Sequence, residues 1–412
     1  MKHLRKNLFL FSLLLALAGV SSTAQNVASD STVLRYLTEA NIPITYNNRV
    51  KLLPSGTMKF NDMFAQLKKA KHHIHMEYFN FRNDSIANLL FTILAEKARE
   101  GVEIRLIFDA FGNSSNNQPL KNHHLKKIRS TGIEIEKFDP IRFPYLNHIF
   151  HRDHRKIVVI DGKTAYTGGM NVADYYINGL PEIGAWRDMH MHITGNSVYD
   201  LQDIFLLTWN KTTKENIKGN QYYPEPDSLG NKAVAIVDRA PKVSPKQLRR
   251  TFVKSINAAA ERVQIVNPYF VPTRSVKKAI KNALKRGIDV EIMISAKSDI
   301  GFTPDASHYV SHQLMKKGAD IYMYNTGFHH SKIMMIDSLF CTVGSANLDS
   351  RSLRYDYETN AFIFDKEITH ELMDIFEADK ADSTIMTEEN WKERSRWKRF
   401  VGWFAHLFTP FL

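Results

Sequence analysis

His154-Arg155-Lys156-Ile157-Val158-Val159-Ile160-Asp161 and His330-Ser331-Lys332-Ile333-Met334-Met335-Ile336-Asp337 are the two stretches on which the reading of this chain turns. Both have the form H-x-K-x4-D. Downstream, Gly168-Gly169-Met170-Asn171 answers to Gly344-Ser345-Ala346-Asn347, and each asparagine stands at the same distance from its histidine. A single such string arises by chance; two in register, each with its asparagine, are specific. In an extended segment alternate side chains share a face, so histidine and lysine point one way and Arg155 or Ser331 the other. The apolar run that follows buries the strand. Brought together, the copies form a pocket of two imidazoles, two ammonium groups and two carboxamides. The lysines offer positive charge to phosphate oxygens and the asparagines add donors. A neutral imidazole can attack phosphorus while a protonated one gives a proton to the leaving oxygen. A lysine cation beside each histidine, without a nearby set of acidic ligands, disfavours a metal centre. Phosphodiester chemistry without a metal or other cofactor is the expectation.

The repeat extends outward from these strings. In the first half the pattern predicts a strand at 73–79, a helix at 85–100, a strand at 102–108, a helix at 120–130, and strands at 133–138 and 156–160. The second half repeats the order at 263–266, 275–286, 289–294, 308–317, 320–324 and 332–336. Gly101 and Gly132 recur at one common offset as Gly287 and Gly318, each ending a helix just before a strand. Alternation of this kind implies an α/β chain of two tandem α-β-α units. Each would be a mostly parallel sheet flanked by helices. Two copies in one chain mimic a two-fold dimer, with one site at the pseudo-two-fold seam.

These residues resemble the phospholipase D superfamily, whose mark is the paired H-x-K-x4-D motif, and the likeness covers nearly the whole chain beyond its first residues. Four strings narrow it to the bacterial cardiolipin synthase branch. They are His72-His73-Ile74-His75-Met76-Glu77-Tyr78-Phe79, Asn267-Pro268-Tyr269-Phe270-Val271-Pro272, Trp186-Arg187-Asp188 and Gly344-Ser345-Ala346-Asn347-Leu348-Asp349-Ser350-Arg351-Ser352. The resemblance implies two tandem phospholipase D-like units. One motif histidine would form a phosphohistidine while the other acts as general acid and then base; we assign His154 as nucleophile and His330 as acid. The resemblance also implies that two acids, Asp188 and Glu358, hydrogen-bond the motif histidines and fix their tautomers. The site set is then His154, Lys156, Asp161, Asn171, His330, Lys332, Asp337, Asn347, Asp188 and Glu358. Within it Asp161 and Asp337, at strand ends, are scaffold rather than chemistry. Of the remaining histidines, His72, His73, His75, His123, His124, His190 and His192 are read as surface or core residues, and His329 faces away from the site. Tyr269 and Phe270 are read as the counterparts of Tyr78 and Phe79. Most synthases of the branch carry two N-terminal membrane helices, where this chain shows a signal-like segment.

That segment, residues 1–24, has Lys2, Arg5 and Lys6 before an apolar run and small residues Ser22 and Ala24, the order of a secretory signal. The run is shorter than the roughly 20 residues a helix needs to span a bilayer. An uncleaved anchor is the alternative. The first unit is assigned to 33–215 (motif region 148–175) and the second to 232–390 (motif region 324–351). A basic, aromatic, amphipathic tail follows at 391–412. In it Trp397, Phe400, Val401, Phe404, Leu407 and Phe411 recur at helical spacing beside Arg394, Arg396, Lys398 and Arg399. This fits an interfacial helix on anionic lipid; a terminal helix packed on the domain is the alternative. The single cysteine, Cys341, excludes an internal disulfide framework and any cysteine-cluster metal site. The net charge of +12 favours anionic partners. Much of it sits in the signal and the tail, which turns the reading from nucleic acid toward a membrane surface. The expectation is an exported protein on the outer face of the cytoplasmic membrane or in the periplasm, making cardiolipin from phosphatidylglycerol. A hydrolase that passes the lipid to water, an exported endonuclease and a non-catalytic lipid-binding module are the rivals.

Overall fold

The computed structural model describes residues 28–140, 150–227, 229–299 and 303–407. The signal read at 1–24, the start of the motif region at 148–149 and the end of the tail at 408–412 lie outside the described residues.

Apolar, β-rich runs form the three parallel strands of each unit. These are His73–Tyr78, Glu103–Asp109 and Glu134–Phe138 in the first, and Arg262–Val266, Asp289–Ser295 and Asp320–Tyr324 in the second. Helices Ser85–Arg99 and Asn122–Arg129 make the crossovers in the first unit, Arg274–Lys285 and Thr303–Met315 in the second. The four glycines predicted to end these helices, Gly101, Gly132, Gly287 and Gly318, all have positive φ (89°, 91°, 80° and 98°), the conformation a closing C′ residue needs.

The motif strands Ile157–Ile160 and Ile333–Ile336 run antiparallel to the first strand of their units. Each turns at once into a hairpin partner, Thr164–Gly168 or Phe340–Gly344. His190–Thr194 or Glu358–Phe364 follows. The expected parallel pairing is thus present among three strands of each unit, and the rest of the sheet is antiparallel. A short hairpin can return a strand only antiparallel, whereas a parallel return needs a crossover helix.

The two units do not form separate sheets. Thr45–Leu53 of the first pairs antiparallel with Lys232–Arg239 of the second, giving one 15-stranded sheet whose order outward from this seam is the same on both sides, save for the edge strand Ser383–Ile385 added in the second unit. Side chains along the motif strands alternate between layers. Val158 and Ile160 join a core under helices Gly56–Leu67 and Ser85–Arg99. Ile157, Val159, Ile333 and Met335 meet in a core common to both units, under helices Ser197–Thr213 and Lys366–Lys380. Every residue of both motif strands is buried. At about 1.5–3 kcal/mol per buried side chain, this anchors the strands far more firmly than polar contacts at their ends. One boundary differs from the expected domain division. Helix Ser29–Glu39 packs Val33 and Leu37 into the core of the second unit, so the chain visits that unit before its first strand. No helix among the described residues is long and apolar enough to cross a membrane.

Candidate active site

His154 and His330 stand just before their motif strands, where the two units are stitched by backbone hydrogen bonds. The His154 N–H donates to the Tyr357 carbonyl at 3.0 Å, and the His330 N–H to the Arg187 carbonyl at 2.6 Å. The residue after each accepting carbonyl is an acid, Glu358 or Asp188. Each acid therefore lands beside the histidine of the opposite unit. His154 Nδ1 lies 3.0 and 3.2 Å from the Glu358 carboxylate oxygens, and His330 Nδ1 lies 2.7 Å from Asp188 Oδ2. The two acids expected near the histidines are both there, and the pairing crosses the seam. With each Nδ1 beside a carboxylate, Nε2 is the second ring nitrogen of each histidine, and that of His330 has Lys332 Nζ at 2.9 Å.

Both histidines line one cavity of about 550 Å³, together with Asn171 and Asn347. Phe79 packs edge-on against the His154 ring at 5.2 Å, and Trp186 lies 5.6 Å from the His330 ring. The Oδ1 atoms of Asn171 and Asn347 are buried without a hydrogen-bond partner among the described residues. The motif lysines are buried under the histidines. Lys156 Nζ donates to the His154 carbonyl at 2.6 Å and Lys332 Nζ to the His330 carbonyl at 2.5 Å. Lys332 Nζ also lies 2.9 Å from His330 Nε2.

Burial and crowding of like charge set the protonation states. Burial pushes His154 well below the ordinary imidazole range, and the charges of Lys156 and Lys332 push it further. Burial and Lys332 also lower His330, while Asp188 opposes them. Lys156 is pushed down to about 7 and Lys332 to about 8, chiefly by burial. Glu358 is pushed up to about 7 by burial, against the pull of Lys156. Asp349 and Asp356, which also line the cavity, are pushed up to about 6 and about 7, by burial first and then by charges that include Glu358. A phosphodiester anion entering the cavity would restore the lysine charges and draw a proton onto an imidazole.

Asp161 and Asp337 do not line the cavity. They sit at the far ends of the motif strands with φ of 53° and 51°. Asp161 accepts from the backbone N–H groups of Lys71, His72 and His73 at 2.8, 2.8 and 3.0 Å. Asp337 accepts from those of Ala260, Glu261 and Arg262 at 2.7, 2.8 and 2.8 Å. They join the motif strand to the first strand of the unit and stand apart from the residues that line the cavity.

The family model described as "Cardiolipin synthase, PLD-like domain" matches the chain twice, at residues 63–188 and 252–380. The cardiolipin synthase of Oceanobacillus iheyensis is 36% identical over 89% of this chain and 76% of its own length. The chain belongs to the PLD-like cardiolipin synthase family. The major cardiolipin synthase of Bacillus subtilis is 34% identical over 89% of this chain and 76% of its own length. Family membership makes the protein a phospholipase D-type phosphatidyltransferase. Among solved structures, the phosphatidylserine synthase of Haemophilus influenzae superposes with a TM-score of 0.69 at 14% identity, covering 93% of this chain and 100% of that one. The polyphosphate kinase of Porphyromonas gingivalis does so at 0.53 and 13% identity, covering 80% of this chain and 46% of that one. At these identities the two structures speak for the fold alone.

Several cavity residues escaped the sequence reading. Tyr175 and Tyr176 form a wall on the short helix Tyr175–Asn178, just past Asn171; their nearness to the motif asparagine was the available signal. Asp299, from the loop after Asp289–Ser295, accepts from the Tyr269 hydroxyl in the opposite wall and had no signal. Lys59 is fully buried behind the asparagine loop, donating to the Met170 and Asn171 carbonyls at 3.2 and 2.8 Å. The Tyr269–Phe270 pair divides differently from expectation. Tyr269 lines the cavity and Phe270 is core, whereas in the first unit Tyr78 is core and Phe79 lines the cavity. None of His72, His73, His75, His123, His124, His190 and His192 lines the cavity. His329 turns away to Asp379, at 3.0 Å.

Proposed function

We propose that the protein makes cardiolipin from two molecules of phosphatidylglycerol through a phosphohistidine, with neither a metal nor another cofactor. His154 Nε2, unprotonated, attacks phosphorus of the first lipid. The bond from phosphorus to the headgroup glycerol oxygen breaks, and protonated His330 gives that oxygen its proton, so that glycerol leaves. The headgroup hydroxyl of the second phosphatidylglycerol then loses its proton to His330 and attacks the phosphorus. The phosphorus–nitrogen bond breaks, cardiolipin forms, and both histidines return to their starting states. Lys156, Lys332, Asn171 and Asn347 stabilise the charge on the phosphoryl oxygens. The observation that carries this reading is the crossed pair of carboxylates, Glu358 on His154 and Asp188 on His330. It leaves two Nε2 atoms to one cavity, one suited to attack and one to proton transfer. The cardiolipin synthases at about one-third identity favour a lipid hydroxyl over water as acceptor.

We further place the mature protein on the outer face of the cytoplasmic membrane, exported by the segment at 1–24 and held peripherally by its C-terminal helix. Helix Arg396–Leu407 exposes Trp397, Phe400, Trp403 and Phe404 beside Lys398 and Arg399. Aromatic rings next to cations suit the headgroup region of an anionic bilayer.

Purified protein incubated with phosphatidylglycerol liposomes is expected to yield cardiolipin and glycerol. His154→Ala and His330→Ala should each reduce turnover to background. Phosphatidic acid formed without cardiolipin would mean a hydrolase, and plasmid cleavage with inert lipid a nuclease. Near-normal activity in either alanine variant would end the shared-site mechanism.

A further inference from the structure

A second concavity, of about 600 Å³, opens on the second unit away from the histidines, and Arg249, Arg250, Lys254, Arg274 and Arg354 line it. No carboxylate is among its lining residues. Among the described residues no ion pair is formed by Arg249, Arg250, Lys254 or Arg274. Burial, then Arg354 and Arg250, push Arg249 below its ordinary value. Arg354 Nε is buried without a hydrogen-bond partner among the described residues. The floor is less polar, with Tyr36 and Val253 in it. Five like charges around one groove repel one another at close range. The chemistry that relieves them is an anion with several oxygen acceptors, bound in part by guanidinium forks.

Position selects among anions. Two chain segments wall both this groove and the active-site cavity. Val271 and Arg351 face the cavity, Arg274 and Arg354 the groove. Arg351 and Arg354 belong to one short helix, Ser350–Arg354, and three residues of helix span about 5 Å. Helix Arg274–Lys285, which begins at the groove, also carries Lys277, whose Nζ donates to Gln313 Oε1 of helix Thr303–Met315 at 2.7 Å. The tail helix packs on that same helix, Thr303–Met315, through Gly402.

We infer that the groove is a headgroup site for an anionic phospholipid that remains in its bilayer. It holds the protein over a phosphatidylglycerol-rich surface while the adjoining cavity receives the reacting lipid. The bound lipid is not transformed there; the groove has neither an imidazole nor a carboxylate among its lining residues to activate a nucleophile. The inference rests on the lipid substrate proposed above and adds a second, non-reacting lipid to it.

The test uses the full chain carrying His154→Ala, so that vesicles are not consumed, and measures cosedimentation with phosphatidylglycerol–phosphatidylcholine vesicles and with phosphatidylcholine alone. Arg249→Gln, Arg250→Gln and Lys254→Gln together should weaken binding to the mixed vesicles roughly a hundredfold, about a factor of five per charge. Binding to phosphatidylcholine should not change. Arg249→Lys with Arg250→Lys, which keeps both charges and loses the guanidinium forks, should weaken binding less than Arg249→Gln with Arg250→Gln. Unchanged binding in the triple glutamine variant overturns the inference. So does stronger competition by inorganic phosphate or by duplex DNA than by phosphatidylglycerol, which would assign the groove to free phosphate or to nucleic acid. In the His154-intact protein, vesicle binding that depends on these charges without any cardiolipin formed would sink the synthase reading and leave the groove standing. Cardiolipin formed with charge-independent binding would do the reverse.

Discussion

Asp188 and Glu358 hold equivalent places on the two histidines, but their surroundings differ. Ser345 donates to Glu358 through its hydroxyl. At the corresponding position the first unit has Gly169, where a Cβ would come within 2.2 Å of Asp188 Oδ1, so Asp188 has no such donor and takes a backbone N–H from Met189 at 2.7 Å instead. The Asp188 carboxylate works against burial and Lys332 to keep a proton on His330. Its loss lowers the His330 pKa further, so the protonated acid is depleted at a lower pH. Asp188→Asn should accordingly move the alkaline limb of the kcat/KM profile down by about one pH unit and reduce turnover about 10²–10⁴-fold. An unmoved alkaline limb would show that His330 is not the proton donor. At this scale the sequence was most legible for His154, Lys156, His330, Lys332 and the two asparagines, because spacing along an extended segment decides which side chains share a face. It was least legible for the crossing of the acids. That crossing depends on Tyr357 lying against His154 and Arg187 against His330, contacts between units that spacing along one chain does not contain.

Among elements, the turn after each motif strand shows why the motif ends in aspartate. A carboxylate has two oxygens, and both Asp161 and Asp337 use them on three successive backbone N–H groups at the start of a neighbouring strand. An asparagine tolerates the left-handed backbone found there but has one acceptor oxygen. Asp337→Asn should therefore cost about 1–3 kcal/mol of stability while kcat per folded molecule falls less than tenfold; loss of activity without loss of thermal stability would return Asp337 to the chemistry. One of the two readings made of the tail's sequence, a terminal helix packed on the domain, describes one face of the tail helix. Gly402 lies so close to helix Thr303–Met315 that a Cβ would meet the Asp305 carbonyl at 2.4 Å, which docks one face. The opposite face leaves Trp397 70% and Phe400 49% exposed. Sequence periodicity showed rings nearly all round the helix, and only the docked neighbour decides which of them remain outside. Replacing Trp397, Phe400, Trp403 and Phe404 by serine should release the protein from phosphatidylglycerol vesicles at high salt, where charge attraction is screened. Unchanged cosedimentation would remove the tail from membrane attachment.

For the whole molecule, the repeat and the three parallel strands of each unit could be read from apolar runs and glycine positions. The fusion of both units into one sheet could not, because Thr45–Leu53 and Lys232–Arg239 carry no pattern that names each other as partners. Arg155 fixes that fusion chemically. It points away from the histidine face, as alternation requires, and reaches Asp238 of the second unit at 2.8 and 2.7 Å and Glu77 of the first at 3.2 Å. Its side chain is 3% exposed, and those of Asp238 and Glu77 are 21% and 0%. Arg155→Met keeps the packing volume and strands two acids. Breaking a buried pair from one side costs about 3–5 kcal/mol. The penalty should also depend on pH, with a definite sign. Burial, then the Asp153 charge, raise Glu77 well above its ordinary value, and Arg155 opposes them. Without the arginine, the folded state holds the Glu77 proton still more firmly than the unfolded chain, whose glutamate titrates near 4.3. Both proteins lose stability as pH rises above that value, since Glu77 is raised in each; above the wild-type folded pKa only the variant goes on losing, so its deficit should be larger at pH 8 than at pH 5. Calorimetry at the two pH values measures both effects. It should also show a single unfolding transition, because the continuous sheet couples the units. Two separated transitions, or a deficit that shrinks as pH rises, would mean that the Arg155 cluster does not join them.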